Sequence, residues 1–306
     1  MNRLDSMDLE YVKPRAIKPV LAGYIIEAQA LLRQSPVPDE KAVHDIRVLM
    51  KKCRAVMRLI ASQIDSKSFQ RDYEAFREAG RLLSVMRESS VHRKTLRELK
   101  KNHQDTFKIL LHNQKIGALM NKEELPAATI PEEQTDIKKI EDLLDKAGFR
   151  LRFMKLDGIN TEQLITELGN SYKTVALKYL DCRNNPKPSN LHQFRKKSKD
   201  FLYQLWFFRP LNPAMIKPVE KKLDTMTQNL GKYNDLAQLI KALEYKYPSD
   251  NSSPAMDELI ILVRQAQDNY LSKVWPVAYK VFCPGMELKN VIGYTLPAKG
   301  SEHIAL

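Results

Sequence analysis

The sequence is short of the residues that punctuate a chain, with only 10 glycines among 306 residues. That scarcity argues against an all-β fold built on glycine-rich turns and against low-complexity disorder. Cysteine is scarcer still. Cys53, Cys182 and Cys283 lie far apart with no CxxC spacing, so no disulfide framework is expected and a reduced, cytoplasmic setting fits. No apolar run approaches the roughly 20 residues of a membrane span. The N-terminal MNRLDSMDLEYVKPR has no apolar core of a signal peptide, and a soluble protein is expected. The few glycines form no Walker or GxGxxG loop. There is no HExxH, and His92, His103 and His112 lack metal-ligand spacing. No metal and no cofactor are expected.

What is present is apolar residues at helical spacing and a surplus of positive charge. Hydrophobic residues make up 43% of the chain, enough for a sizeable core. Lysine and arginine total 50 against 37 acidic residues, a net charge of +13. A surplus of that size favours polyanionic partners: nucleic acid, an anionic membrane or a phosphate polymer. Helical patterns run over 20–34, from an N-cap at Asp39 to about Gln63, and on from Ser66 to about Met120 with Leu96, Leu99, Phe107, Leu110 and Leu111 as core candidates. The segment 122–133, KEELPAATIPEE, holds two prolines and reads as a linker. Beyond it the spacing predicts helices over 136–144, 161–182, about 190–208, 215–230, 234–247 and a last one ending near Pro284, with an irregular tail over 285–306.

One stretch stands apart, VHDIRVLMKKCRAVMR over 43–58. On a helix, Arg47, Lys51, Arg54 and Arg58 fall within about 80° of one another beside His44. Ile46, Leu49, Met50, Cys53, Val56, Met57 and Ile60 occupy the opposite side. A solvated face mixes both signs, whereas this stripe is almost free of acid. Its cations repel one another, and an anionic ligand would offset that repulsion. The stripe reads as a binding surface.

A second helix repeats the first. His192, Arg195 and Lys199 keep the spacing of His44, Arg47 and Lys51 at an offset of 148 residues, and Asn234-Asp235 follows Arg87-Glu88 by 147. A repeat of this length points to a duplicated bundle rather than a solenoid. The copies differ: Leu202 and Trp206 match Arg54 and Arg58, and Asp200 matches Lys52. Phe194, Phe201, Leu205 and Phe208 form the second packing face, with Tyr203 on the stripe.

VHDIRVLMKKCRA and LHQFRKKSKDFLY resemble the two signature helices of the CHAD domain, the conserved-histidine α-helical domain. LGKYND over 230–235 is similar to the family's second-half Leu-Gly…Asn-Asp element, and Arg87-Glu88 resembles its first-half Arg-Asp. The resemblance covers about 13–283. It implies an all-α fold of two pseudo-symmetric four-helix bundles around a basic central cavity, with halves at 13–121 and 134–283, the linker at 122–133 and a tail at 284–306. It also implies binding of inorganic polyphosphate without catalysis. The family usually carries a basic residue where this chain has Asp200 and an arginine where it has Leu202.

On that reading His44, Arg47, Lys51, Lys52, Arg54, Arg58, His192, Arg195, Lys196, Lys199 and Tyr203 line the polyphosphate site. Arg87, Glu88, Asn234 and Asp235 support it by capping and by orienting basic side chains. Guanidinium forks suit phosphoryl oxygens, and lysines serve as point charges. A phosphate beside His44 and His192 favours the protonated imidazole, so affinity is expected to rise as pH falls through the ordinary histidine range near 6.5. RNA is the competing ligand, drawn to any basic groove by counterion release, although the first stripe has no interleaved aromatics for base stacking. A metal-dependent phosphoanhydride hydrolase is the third reading. His44-Asp45 is similar to the HD phosphohydrolase pair, but no histidine lies upstream of it.

Overall fold

The computed structural model describes residues 14–85, 88–113, 130–156, 158–246 and 254–293, and every regular element among them is helical. Three helices open the chain: α1 (Ile17–Arg33), α2 (Glu40–Leu59) and α3 (Ser66–Val85). The starts of α2 and α3 follow from short acceptors placed before apolar-periodic runs. Asp39 Oδ1 accepts from the Ala42 amide at 2.7 Å, and Asp65 Oδ2 from the Ser68 amide at 2.8 Å. Each satisfies one of the amides that a helix start leaves open. The long helical run expected after α3 is two pieces, α4 (Glu88–Asn102) and α5 (Gln104–Leu110), separated at His103.

The remaining helices are α6 (Ile130–Phe153), α7 (Thr161–Asn184), α8 (Pro188–Leu205), α9 (Pro213–Lys246), α10 (Pro254–Phe282) and the short α11 (Leu288–Ile292). Of the expected linker, 122–129 lies outside the described residues and 130–133 opens α6. The expected break at Gly231 is absent, and α9 runs through it. The tail begins with structure: Val291 and Ile292 are buried, and Gly293 closes α11 at φ 62°, a left-handed conformation that glycine adopts without strain.

α1, α2, α3 and α6 pack in a ring, each against its neighbours. α7, α8, α9 and α10 form the second group. The sequence reading placed 134–153 with the second half, whereas α6 packs on α1 and α3. Lys18 Nζ donates to the Arg152 and Met154 carbonyls, and Gln29 Nε2 to Asp145 at 2.5 Å, fixing α6 along α1. Periodicity could mark 130–153 as a helix but not choose its partner. α4 and α5 instead lie on α9 and α10, burying Leu96, Leu99, Phe107 and Leu110 against Leu236, Leu239, Leu243 and Leu259.

One continuous apolar core runs through both groups. The groups meet where α2 packs on α8. At that contact Gln204 Nε2 donates to the Ala55 carbonyl at 3.0 Å, a buried bond that joins side chain to backbone across the repeat. Both expected packing faces are buried, Ile46 to Ile60 on α2 and Phe194 to Phe208 on the α8 side. That burial orients the cationic stripes outward.

Candidate functional site

Burial of the α2 apolar face leaves Arg47, Lys51 and Arg54 beside α3, where Arg77 and Arg81 project toward them. These five cations, with Gly80 and Ser84, line a cavity of about 290 Å³. Arg77 and Arg81 were not expected from the sequence. They alternate with Glu74 and Glu78, which they meet at 3.1 and 2.7 Å, so their run looks like a solvated helix surface. Their spacing of four, matching that of Lys51 beside Arg47, is the one signal that could have marked them.

Several cations are held by neighbours. Arg47 Nη1 donates to the Leu83 carbonyl at 3.2 Å, which ties α2 to α3. Lys52 sits over the Tyr24 ring at 5.1 Å, and burial pushes the Tyr24 hydroxyl up to about 12. Burial also holds the Arg54 guanidinium below its ordinary value, and Arg54 Nε is buried without a hydrogen-bond partner among the described residues. Arg58 is divided between two partners. Its Nη1 donates to the Tyr73 hydroxyl at 2.5 Å, and its Nη2 meets Asp200 Oδ1 at 2.6 Å across the α2–α8 contact.

On the α8 stripe Lys199 has an acid partner of its own. Lys199 Nζ donates to Asp224 at 2.9 Å, and Tyr203, raised to about 12 by burial, lies 5.8 Å from the Lys199 ammonium. The Lys196 ammonium is held below its ordinary value by lost hydration and then by Arg54, Arg58 and Lys197, with Asp200 opposing. Leu202 and Trp206 pack against the core. Arg195 Nε donates to the Thr227 carbonyl at 3.3 Å, and its guanidinium lies flat on α9 over Gly231. A Cβ on that glycine would stand 3.2 Å from two guanidinium nitrogens.

His44 and His192 are exposed. His192 Nδ1 bonds the Asn234 amide oxygen at 2.9 Å, which directs Nε2 away from α9. Ala55 meets Gln204 while Arg58 meets Asp200, so the α2–α8 contact runs in opposite senses along the two helices. The histidines, each about three turns from it, lie toward opposite ends. Asp235 is half-buried. Arg87 and the Glu88 side chain lie outside the described residues.

Helices of this packing, with five cations lining one cavity, define an all-α helical module with a basic face. The family model of the CHAD domain matches residues 24–244, and the chain belongs to that family. Among solved structures it is similar to PptA from Streptomyces chartreusis, with a TM-score of 0.54 and 12% identity over 87% of this chain and 95% of that one. At that identity the likeness bears on the fold alone. No curated protein sequence matches the chain.

Proposed function

We propose that this protein binds inorganic polyphosphate along the cationic stripe of α2, without turning it over. The observation that carries the reading is the convergence of Arg47, Lys51, Arg54, Arg77 and Arg81 on one cavity. A linear polyphosphate has a charge on each unit and no base to read, so an array of donors on rigid helices is the matching receptor. Membership of the CHAD family supports the same ligand. The α8 stripe, with Arg195, Lys196 and Lys199, extends the path across the α2–α8 contact. The carboxylates beside the stripes, Asp200 and Asp224, are bonded to Arg58 and Lys199 and act as their counter-ions. The three thiols are free, and two of them are buried, in keeping with a cytoplasmic setting.

The test is a titration of the wild type and the double variant Arg47→Glu, Arg195→Glu with polyphosphate. The double variant is expected to lose binding while its helical circular dichroism persists. RNA competing with labelled polyphosphate at equal phosphate concentration and equal salt would overturn the reading. So would phosphate release on adding Mg²⁺ or Mn²⁺.

A further inference from the structure

Arg58 meets an acid where the two cationic stripes come together. The Asp200 side chain is 14% exposed, its Oδ1 lies 2.6 Å from Arg58 Nη2, and its Oδ2 is buried with no hydrogen-bond partner among the described residues. Arg54, Lys196 and Lys197 are close enough to act on it electrostatically. Four cations from two helices therefore surround one carboxylate. Carboxylate and phosphoryl oxygens present the same acceptor to a guanidinium fork. The Arg58 fork is already divided between Tyr73 and Asp200.

We propose that Asp200 is a built-in counter-ion occupying the place of one phosphoryl group, and that it makes the site discriminate against short phosphates. The assignment rests on the polyphosphate reading of the groove. An anion settling at the α2–α8 contact meets the Asp200 charge directly, and a buried charge is poorly screened by salt. A short phosphate has few other contacts to offset that repulsion. A long chain reaches past it in both directions, onto the α2–α3 cavity and along α8. Asp200 thus sets a length threshold rather than preventing binding. Burial outweighs the four surrounding cations and holds the carboxyl above its ordinary range, so a neutral amide of the same shape suits the position.

The experiment compares the wild type, Asp200→Asn and Asp145→Asn, titrated with tripolyphosphate and with long-chain polyphosphate at several salt concentrations. Asp145→Asn changes the net charge equally on α6, where Asp145 is exposed beside Gln29 and Arg33. Asp200→Asn is expected to bind tripolyphosphate about tenfold tighter and the long chain only about twofold tighter. Release of Arg58 to the ligand is expected to steepen the dependence of log K on log salt by about 0.7, the increment for one further phosphate contact on a single strand. Asp145→Asn is expected to behave as the wild type.

Equal gains in Asp200→Asn and Asp145→Asn would reduce the effect to net charge and overturn the assignment. A wild type that binds the long chain, with no gain for tripolyphosphate in Asp200→Asn, would overturn it while leaving the polyphosphate reading intact. Failure of the wild type and Asp200→Asn alike to bind either ligand would remove both. If the amide variant loses its helical signal, Asp200→Ser supplies the same comparison.

Discussion

Gly231 shows how much a single missing atom decides. In the sequence it reads as a helix terminator, since glycine inside a helix costs roughly 1 kcal/mol relative to alanine. In the structure it lies inside a 34-residue helix, buried beneath the Arg195 guanidinium. Gly231→Ala therefore has two effects of opposite kind. The helix gains intrinsic stability, while the new methyl group sits 3.2 Å from two guanidinium nitrogens and moves them by a few tenths of an ångström. The neighbour is the guanidinium end of a flexible side chain, so the displacement costs the fold little. We expect a melting temperature equal to or above that of the wild type, together with a severalfold loss of polyphosphate affinity. Thermal denaturation and titration on the same preparation check both. The packing faces of α2 and α8 and the cap at Asp39 were legible because they depend on local spacing alone. The role of Gly231 was not, because it depends on a side chain 36 residues away in the chain.

Among the elements, α2 was read correctly as a helix with one dry side and one cationic side, and α3 was not recognised as its partner in the groove. The reason is electrostatic camouflage. Arg77 and Arg81 bond to Glu74 and Glu78 one turn back, and only the packing of α3 on α2 turns the arginines toward Arg47 and Lys51. Exposed ion pairs of this kind are worth about 0–1 kcal/mol, so the arginines remain available to a polyanion at little cost. Arg77→Glu with Arg81→Glu is expected to weaken polyphosphate binding at least tenfold, with urea stability changed by no more than about 1 kcal/mol. Lys94→Glu with Lys101→Glu makes the same change in net charge on α4, which packs on α9. That pair is expected to alter affinity no more than about twofold, because neither lysine lines the α2–α3 cavity. Comparable losses in the two double variants would mean that overall basicity, not the α2–α3 groove, carries the binding.

Across the whole molecule, the order of the helices in the chain does not follow their grouping in space. The chain lays down α1–α3, passes to the second group with α4 and α5, returns with α6 to complete the first ring, and only then builds α7–α10. The periodicities announced most of these helices, but no local pattern records which ring a helix joins. The consequence is mutual dependence. Without α6, the faces of α1 and α3 that it covers would lie open, and without α9 and α10 the leucines of α4 have nothing to bury them. The shared core and the Gln204–Ala55 bond then tie ring to ring. Chains of this length often unfold in steps, domain by domain. Here the interleaving favours a single transition. Trp206 and Trp275 both belong to the second group, whereas far-ultraviolet circular dichroism reports helices of both. In urea the tryptophan fluorescence and circular dichroism curves are therefore expected to superimpose, with one midpoint and one slope. A fluorescence transition displaced from the dichroism transition would show that the two groups unfold separately despite the crossed connections.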